Sequence, residues 1–487
     1  MSTVRNPFKR RITAGIGIAA LATAALFGSM LPASAADSGN INPDAAKSLI
    51  IHKFAQPAEE GTAPDGTKLP DSATSGLDKL SGVTFKVEEV TNIDLSNNAG
   101  WLALDGLTPA TVDTTKLKLV DEKATVDGVV TFVNLKQAVY LVTETGPGNN
   151  NIAFAAQPFL VTLPLPNNTD NTWIYDVHVY PKNSLASITK TVNDSAATGL
   201  GSDVTWNIAA KVPNASADAQ VEKFEIADTL DSRLRFKNAV VTLESGNTIT
   251  EGTHYTVTPT VANGITTVAV TFNADGLKKF ADDETVNVAL VTTVTSLGDT
   301  SGIITNKATV FINDSSFTSD EAKTVWGDVT IHKVAANDPG KFLQGAEFKV
   351  YPTEADAKDD TKAISVTSDG VTKSVFTSDE NGVVKISGLK AKHNGTGDDI
   401  VYYLVETKAP AGYNINGDFS KAKPYGFTVN SDLSTDITVK NAQTKPFTLP
   451  LTGGSGTAMF MMVGLGLLAV AGGVALRKRS TRRTVQA

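Results

Sequence analysis

Three strand-like segments near the carboxyl end of the chain each carry one polar residue on an otherwise apolar face. Side chains of a β-strand alternate between two faces, so residues of equal parity lie on the same side. When the apolar side chains of such a face point inward, the polar residue among them is buried as well. The polar residues are Lys333, Glu406 and Asn441, and they share their faces with Val329 and Ile331, Tyr402 and Leu404, and Ile437 and Val439, in that order.

An amine, a carboxyl and an amide buried in one core are expected to contact one another, because an unpaired buried polar group is destabilising. Burial lowers the pKa of a lysine and raises the pKa of a carboxyl, so a neutral amine and a protonated acid become accessible. A neutral amine held against an asparagine amide can attack its carbonyl carbon and expel ammonia. The product is a Lys–Asn isopeptide bond between the first and last strands, which needs no external enzyme.

The same anomaly occurs in two other parts of the chain, each with a lysine, a carboxyl and an asparagine on apolar faces. The alternative for each set is an ordinary buried lysine–carboxylate pair with a neighbouring asparagine, which needs no chemistry. Recurrence in three places favours the cross-link, with Glu406, Asp228 and Glu144 as the autocatalytic carboxyls. The middle set is Lys190, Asp228 and Asn306, and the first set is Lys53, Glu144 and Asn183.

Many short strands must position these residues, because the chain alternates apolar and polar residues between turns rich in Gly, Pro and Asn. Its 487 residues suit about three domains. We therefore predict an all-β chain of three tandem immunoglobulin-like β-sandwiches, covering residues 37–183, 184–324 and 325–446. The third domain repeats the first, since Ile331–Lys333 matches Ile51–Lys53 and Tyr403–Glu406 resembles Tyr140–Glu144.

Three local features of these domains are also predicted from the pattern. Trp173–Asn183 is expected to be one strand that closes the first domain. Asn263-Gly264 is expected to form a hairpin turn, and Leu277–Phe280 a short helix.

Residues 1–36 have the pattern of a secretory signal peptide. A basic patch at Lys9–Arg11 precedes the apolar stretch Ile16–Leu31, which is followed by the small residues Ala33–Ala35. A retained membrane anchor is the alternative, and the Ala-Ser-Ala sequence favours cleavage.

The last segment, residues 447–487, contains an apolar run followed by a basic tail. Ser455–Leu476 carries no charge and is long enough to cross a bilayer as one helix. The five basic residues that follow predict a cytoplasmic tail. One interpretation of the segment is a simple single-pass anchor. The residues directly before the helix are Leu449, Pro450, Leu451, Thr452 and Gly453.

Composition excludes several classes of function. The chain has no cysteine, which excludes disulfides, thiolate metal sites and a cysteine nucleophile. Its net charge of -8 becomes about -17 once the nine positive charges of the two terminal segments are removed, so nucleic acid and anionic lipid are not expected partners. The five histidines lack metal-ligand spacing, and we predict neither a metal nor a cofactor. Asp314–Thr318 faintly resembles a metal-ion adhesion motif but lies in a linker, and we discount it.

A lysine next to one of the predicted cross-link residues points the other way. Asn183 has the inward parity of Val177 and Val179, so its neighbour Lys182 is expected on the outward face. The plain interpretation of Lys182 is a solvated surface lysine.

Several motifs resemble those of Gram-positive surface proteins. Leu449–Gly453 resembles the Leu-Pro-x-Thr-Gly sorting signal that a membrane sortase cuts between Thr and Gly. Trp173–Lys182 resembles the pilin motif Trp-x-x-x-Val-x-Val-Tyr-Pro-Lys of sortase-assembled fimbriae. Tyr403–Tyr413 is similar to the E-box of self-crosslinking B-type collagen-binding-protein domains, and the middle domain resembles the related A-type. The segment after Glu144 departs from the E-box.

This resemblance to actinobacterial shaft pilins covers the whole chain and implies a structural function. It implies that sortase joins Thr452 of one subunit to Lys182 of the next, and that the chain is not itself an enzyme. The implied partners are a class C (pilin-type) sortase, the housekeeping sortase, identical pilin subunits, a minor or tip pilin and peptidoglycan, with the membrane only a transient contact. The implied location is an extracellular fimbria attached covalently to the cell wall. The alternative is a monomeric wall-anchored adhesin that binds a host extracellular protein.

Overall fold

The computed structural model describes residues 41–57, 64–167, 171–214, 220–281, 283–298, 301–368, 370–433, 435–445 and 455–481. The predicted signal peptide and the sorting motif Leu449–Gly453, including Thr452, lie outside these ranges.

The described part of the chain forms three β-sandwiches in tandem, as the sequence predicts. The apolar alternation sets the strands: in the second sandwich Val204, Trp206 and Ile208 are at most 2% exposed, while the residues between them face away from the core. Short helices occupy connections between strands. They are the α-helices Asp71–Thr74, Asn98–Leu102, Ala274–Leu277 and Glu354–Asp359 and the 3-10 helices Thr114–Lys116, His393–Gly395 and Gly417–Phe419.

The first sandwich contains strands β1 to β12. Its two main sheets have the strand orders β11-β1-β5 and β4-β3-β6-β8, and smaller sheets have the orders β2-β12-β7 and β10-β9. The strands are β1 Ser48–His52, β2 Phe54–Ala55, β3 Thr84–Val90, β4 Leu117–Ala124, β5 Val129–Phe132, β6 Ala138–Gly146, β7 Ile152–Phe154, β8 Phe159–Leu163, β9 Leu165–Asn167, β10 Thr172–Ile174, β11 Asp176–Val179 and β12 Lys182–Leu185.

The second sandwich packs a sheet of order β13-β14-β19-β16 against one of order β17-β18-β15-β21-β22. Strands β17 and β18 are joined by the predicted Asn263-Gly264 turn, where both residues have the positive φ that a tight hairpin needs. The strands are β13 Ser187–Asn193, β14 Asp203–Lys211, β15 Phe224–Thr229, β16 Leu234–Leu243, β17 Tyr255–Ala262, β18 Ile265–Phe272, β19 Thr285–Val294, β20 Ile303–Asn306, β21 Ala308–Ile312 and β22 Ser315–Thr318.

The third sandwich is organised around one long strand, β23. This strand pairs with β29 and β32 in its own domain, and its first residues pair with β20 of the second domain. The facing sheet has the order β28-β25-β30-β31. The strands are β23 Ala322–Ala335, β24 Asp338–Phe342, β25 Glu347–Tyr351, β26 Val366–Ser368, β27 Val371–Lys373, β28 Phe376–Thr377, β29 Val383–Lys390, β30 Tyr402–Lys408, β31 Tyr425–Phe427 and β32 Thr435–Asn441.

Core packing follows the same division. The first sandwich has its own clusters of buried side chains, one of them around Phe85 and Tyr140. The buried side chains of the second and third sandwiches instead form one continuous cluster, from Ala186 to Val439. The second and third sandwiches are therefore packed together more closely than the first is packed on either.

Two local predictions were wrong. Trp173–Asn183 is not one strand but three short ones, β10, β11 and β12, which pair in different sheets. Pro181 lies between the last two, where it supplies no backbone N–H. The short helix spans Ala274–Leu277 rather than Leu277–Phe280, because Asn273 caps its first turn through hydrogen bonds from Asp275 and Gly276.

The carboxyl-terminal helix spans Ser455–Thr481. Its segment Met459–Leu476 is long and apolar enough to cross a membrane, and none of it is buried against the rest of the protein. The length and composition of this helix agree with the predicted span.

Candidate isopeptide sites

The third sandwich brings its three predicted residues together from both sheets. Lys333 and Asn441 lie on the neighbouring parallel strands β23 and β32, where Lys333 is opposite Val439 and Asn441 lies two residues further along. Glu406 reaches them from β30 in the facing sheet. Lys333 and Asn441 are fully buried and Glu406 is 1% exposed, so the triad lies inside the core.

The carboxyl of Glu406 connects the other two members. Asn441 Nδ2 donates to Glu406 Oε1 at 2.6 Å, and Lys333 Nζ lies 3.8 Å from the same oxygen. The backbone N–H of Asn416 donates to Oε2 at 3.2 Å, while Lys333 Nζ donates to the carbonyl of Val439 at 3.1 Å. Asn441 Oδ1 is buried without a hydrogen-bond partner, which leaves that carbonyl available for a donor during reaction.

Burial sets the protonation of this triad. Desolvation lowers the pKa of Lys333 to about 8, although the Glu406 carboxylate opposes the shift. Desolvation also raises the pKa of Glu406, against the effects of Lys333, Asn441 and Asn416. The two pKa values thus approach each other, which makes the form with a neutral amine and a protonated acid more accessible.

The second sandwich holds the set Lys190, Asp228 and Asn306. Lys190 Nζ donates to Asp228 Oδ2, and Asn306 Nδ2 lies 3.4 Å from the same oxygen. Burial lowers the pKa of Lys190 to about 8 and raises the pKa of Asp228. Asp228 Oδ1 and Asn306 Oδ1 have no hydrogen-bond partner despite being buried.

The ammonium of Lys190 also lies over an aromatic ring. Its Nζ is 5.5 Å from the ring centroid of Trp206, which is fully buried on β14. An aromatic face restricts the position of the amine without giving it a hydrogen-bond acceptor other than the carboxyl.

The first sandwich holds Lys53, Glu144 and Asn183 in direct mutual contact. Lys53 Nζ donates to Asn183 Oδ1 and lies 2.9 Å from Glu144 Oε2, while Asn183 Nδ2 donates to Glu144 Oε1 at 2.6 Å. The backbone N–H of Ala156 also donates to Asn183 Oδ1, at 2.7 Å. Burial lowers the pKa of Lys53 to about 8, against the opposing effect of Glu144. The amide carbonyl here is already polarised by two donors.

Sequence reasoning found the side chains of each triad but not its backbone contributors. The N–H groups of Ala156 and Asn416 and the carbonyl of Val439 touch the triads, and no side-chain pattern reports on them. Their positions depend on loop conformation, which strand parity does not determine.

Lys182 lies next to the first triad but not in it. Asn183 is fully buried, whereas Lys182 on the other side of β12 is half-exposed. Tyr180, which has the same parity as Lys182, is nevertheless 6% exposed and stacks on His52 at 4.6 Å between ring centroids. The hydroxyl of Tyr180 accepts from the backbone N–H of Leu69 at 2.8 Å, so the loop that contains Leu69 covers this ring.

Comparison with known proteins agrees with this architecture in all three domains. Residues 44–184 match the family described as Gram-positive pilin subunit D1, N-terminal domain. Residues 186–325 match the Sgo0707 N2 domain, and residues 327–443 match the SpaA prealbumin-like fold domain.

Whole-length relatives are fimbrial proteins. The chain is 32% identical to fimbrial subunit type 2 of Actinomyces naeslundii, covering 97% of each chain. It is 30% identical to fimbrial subunit type 1 of Actinomyces viscosus, covering 97% of this chain and 98% of the relative. Among solved structures, the full-length major pilin SpaD of Corynebacterium diphtheriae matches with a TM-score of 0.69 at 26% identity, over 84% of this chain and 99% of that one. The chain therefore belongs to the Gram-positive pilin family and is a structural shaft subunit of an extracellular fimbria.

Proposed function

We propose that this pilin is hardened by two kinds of isopeptide bond. One kind joins subunits, from the carbonyl of Thr452 in one subunit to the amine of Lys182 in the next. The other kind lies within domains, between Lys53 and Asn183, Lys190 and Asn306, and Lys333 and Asn441.

The observation that carries the proposal for Lys182 is its placement beside a buried triad. Asn183 is held in the core by Lys53 and Glu144, so the backbone of β12 is anchored at the residue that follows Lys182. An anchored backbone presents the neighbouring lysine side chain at a defined place on the opposite face of the strand. A positioned amine on a flexible four-carbon stem suits delivery to a separate enzyme.

In the proposed transfer between subunits, the Thr452 carbonyl is passed from Gly453 to the sortase thiol and then to the amine of Lys182. Sortase first cleaves the bond between Thr452 and Gly453 and holds the Thr452 carbonyl as an acyl-enzyme. The neutral amine of Lys182 from the next subunit attacks that carbonyl, loses a proton and releases the enzyme thiol. The membrane helix departs with Gly453, so it anchors the subunit only until sorting.

The partners follow from this chemistry. A class C sortase polymerises identical subunits, and the housekeeping sortase transfers the basal subunit to peptidoglycan. A minor pilin at the tip needs no acceptor lysine of its own, because its carboxyl-terminal acyl group is joined to Lys182 of the first shaft subunit. The product is a fimbria attached covalently to the cell wall.

Within each domain the carboxyl moves the proton that the reaction requires. The lysine amine attacks the asparagine carbonyl carbon, while the protonated carboxyl donates to the carbonyl oxygen. The carboxylate then accepts a proton from the amine nitrogen and returns one to the departing amide nitrogen. Ammonia leaves, the isopeptide bond forms and the carboxyl is regenerated.

Surface extracts boiled in detergent test the bond between subunits. The wild-type protein is expected to give a ladder of high-mass polymers, because covalent bonds survive detergent. Lys182→Arg keeps the positive charge but removes the nucleophilic amine, and is expected to leave only monomer.

Lys136→Ala is the matched control, since Lys136 is a lysine of the same domain with a side chain that is 71% exposed. That variant is expected to give the wild-type ladder. A ladder from Lys182→Arg would contradict the assignment of Lys182. A wild-type protein that is found only as wall-bound monomer would favour a monomeric adhesin instead.

A further inference from the structure

A fourth buried lysine–carboxylate pair joins two domains and belongs to none of the triads. Asp194 follows the first strand of the second sandwich, and Lys390 ends β29 of the third. Lys390 Nζ donates to Asp194 Oδ1 at 2.5 Å, and both side chains are fully buried.

Asp194 has a hydrogen-bond donor on each oxygen. Thr324 Oγ1 donates to Oδ2 at 2.6 Å, and the backbone N–H of Asn394 donates to Oδ1 at 2.9 Å. Thr324 lies on β23, the strand that both sandwiches share, and is fully buried. One carboxylate thus connects the end of β13, the start of β23 and the end of β29.

The segment 194–200 then runs along the third sandwich. Its Thr198 carbonyl accepts from the backbone N–H of Lys390 at 3.1 Å, and its Leu200 carbonyl accepts from the N–H of Thr367 at 2.8 Å. Leu200 packs where Gly388 has no side chain, since a Cβ there would lie 2.1 Å from Leu200 Cγ. The second sandwich therefore contributes a segment to the surface of the third.

The junction between the first and second sandwiches is different. It contains a cavity of about 540 Å³, lined by residues of both domains that include Glu144, Phe154 and Glu222. The polar contacts across this junction include a hydrogen bond from the Asn214 side chain to the backbone carbonyl of Gln56 at 3.2 Å. Among the described contacts between these two sandwiches there is no buried ion pair.

We propose that Asp194, Lys390 and Thr324 form a clasp that locks the second and third sandwiches in one orientation, so that they move as a single rigid body. The hydrogen bonds of Asp194 determine the relative orientation of the two sandwiches, because a carboxylate with three donors from three segments has few alternative geometries. The shared strand and the Leu200 contact bring the domains together, and the clasp selects the angle between them. The clasp depends neither on sortase nor on the isopeptide bonds.

Distances between spin labels test the clasp in the full chain. The chain has no cysteine, so labels can be placed at Thr258→Cys in the second sandwich and Glu380→Cys in the third, both exposed positions. The parent is expected to give one narrow distance distribution. Asp194→Asn and Lys390→Met are each expected to at least double its width and to lower the melting temperature, because each leaves a buried group without its partner.

A third variant separates orientation from stability. Asp194→Leu combined with Lys390→Met replaces the ion pair by apolar side chains, which often restores stability without directional contacts. We expect a recovered melting temperature with a distribution that stays broad. Lys392→Met removes only the exposed ion pair with Asp399, and is expected to leave both measurements unchanged.

Two results would overturn the clasp. A narrow distribution in Lys390→Met would show that packing alone orients the domains. A narrow distribution in the double variant would show that directional contacts are unnecessary, even if the single variants are broad.

Discussion

Two buried lysine–aspartate pairs lie close together, since Lys190 is on β13 and Asp194 directly follows that strand. The two pairs differ in how their polar atoms are hydrogen-bonded. Lys190 meets Asp228 inside the second sandwich, and Asp194 meets Lys390 between the second and third. The first pair has an asparagine beside it, and Asp228 Oδ1 and Asn306 Oδ1 lack partners. In the second pair both oxygens of Asp194 accept hydrogen bonds.

The proposed cross-link therefore requires more than the burial of an amine beside a carboxyl. The Asp194 carboxylate accepts hydrogen bonds from three donors, so neither of its oxygens is left without a partner. In the second sandwich Asp228 and Asn306 each keep a buried oxygen without a partner, which is unfavourable until reaction changes the set of polar groups. The Lys190 set is therefore suited to the proposed chemistry, whereas the proposed clasp is suited to holding a fixed geometry.

The largest expected effect comes from removing the acid of a triad. Asp228→Asn and Glu406→Gln keep the shape of the side chain but remove the proton carrier, so each variant should retain one ammonia that wild type loses, apart from the mass change of the substitution itself. The free energy of unfolding should fall by about 4–5 kcal/mol per lost bond, by analogy with a cross-link that closes a loop of about 100 residues. Intact mass and chemical denaturation measure the two effects.

Asp399→Asn is the matched control for these two variants, because Asp399 is a carboxyl with an exposed lysine partner. It should have the wild-type mass apart from the substitution itself, and about the wild-type stability. An intact mass for Glu406→Gln that still lacks the ammonia would show that the carboxyl is not required.

A smaller effect is expected from pH on the rate of bond formation in newly folded protein. The ion pair and its reactive form, which is the neutral amine with the protonated acid, contain the same number of protons. The rate should therefore not change with pH between the pKa of the carboxyl and the pKa of the lysine. Burial lowers the pKa of Lys190 to about 8 and raises the pKa of Asp228. Above about pH 8 the pair loses its proton and the rate should fall about tenfold per pH unit.

Time-resolved intact mass of freshly synthesised protein, measured from pH 6 to 10, follows this rate through the loss of ammonia. A rate that continues to rise above pH 8 would mean that deprotonation of the amine alone limits the reaction. In that case the carboxyl would not act as an acid.

The smallest chemical effect is expected from adding an amide to the clasp. Thr324→Asn places an amide beside Asp194 and so supplies the composition of a triad. We expect no additional loss of ammonia, because Lys390 and the N–H of Asn394 still donate to Asp194 Oδ1. Intact mass measures the result, with Thr324→Ser as control, and one further ammonia lost would mean that composition alone decides reactivity.

The residues of each triad could be selected from the sequence because the signal is local. It consists of a polar residue and of the apolar residues that share its strand face. Strand parity placed Lys333, Glu406 and Asn441 among buried residues, and the structure buries all of them. The same parity contained a signal for the clasp, since Lys390 shares a face with Val384 and Ile386, and Asp194 follows Lys190 and Val192. The partner could not be identified, because Asp194 and Lys390 are 196 residues apart and meet only when two domains pack.

The all-β fold class could be predicted from the alternation of apolar and polar residues and from the turn residues. The points at which individual strands begin and end could not. Pro181 interrupts the predicted strand Trp173–Asn183, and the resulting segments pair in separate sheets. The single strand Ala322–Ala335 crosses what the sequence treats as a domain boundary. Pairing partners decide where a strand ends, and those partners lie far away in the sequence.

The position of Lys182, just before the second sandwich, has a mechanical consequence for the proposed fibre. Tension applied between this amine and the carboxyl end passes through the residues after Lys182. Most of the first sandwich precedes Lys182 and therefore lies outside the path of the force. The bonds at Lys190 and Lys333 would lie in series with the pull, whereas the bond at Lys53 would only secure the attachment point. Stretching a fibre should therefore strain the second and third sandwiches and leave the fold of the first unloaded.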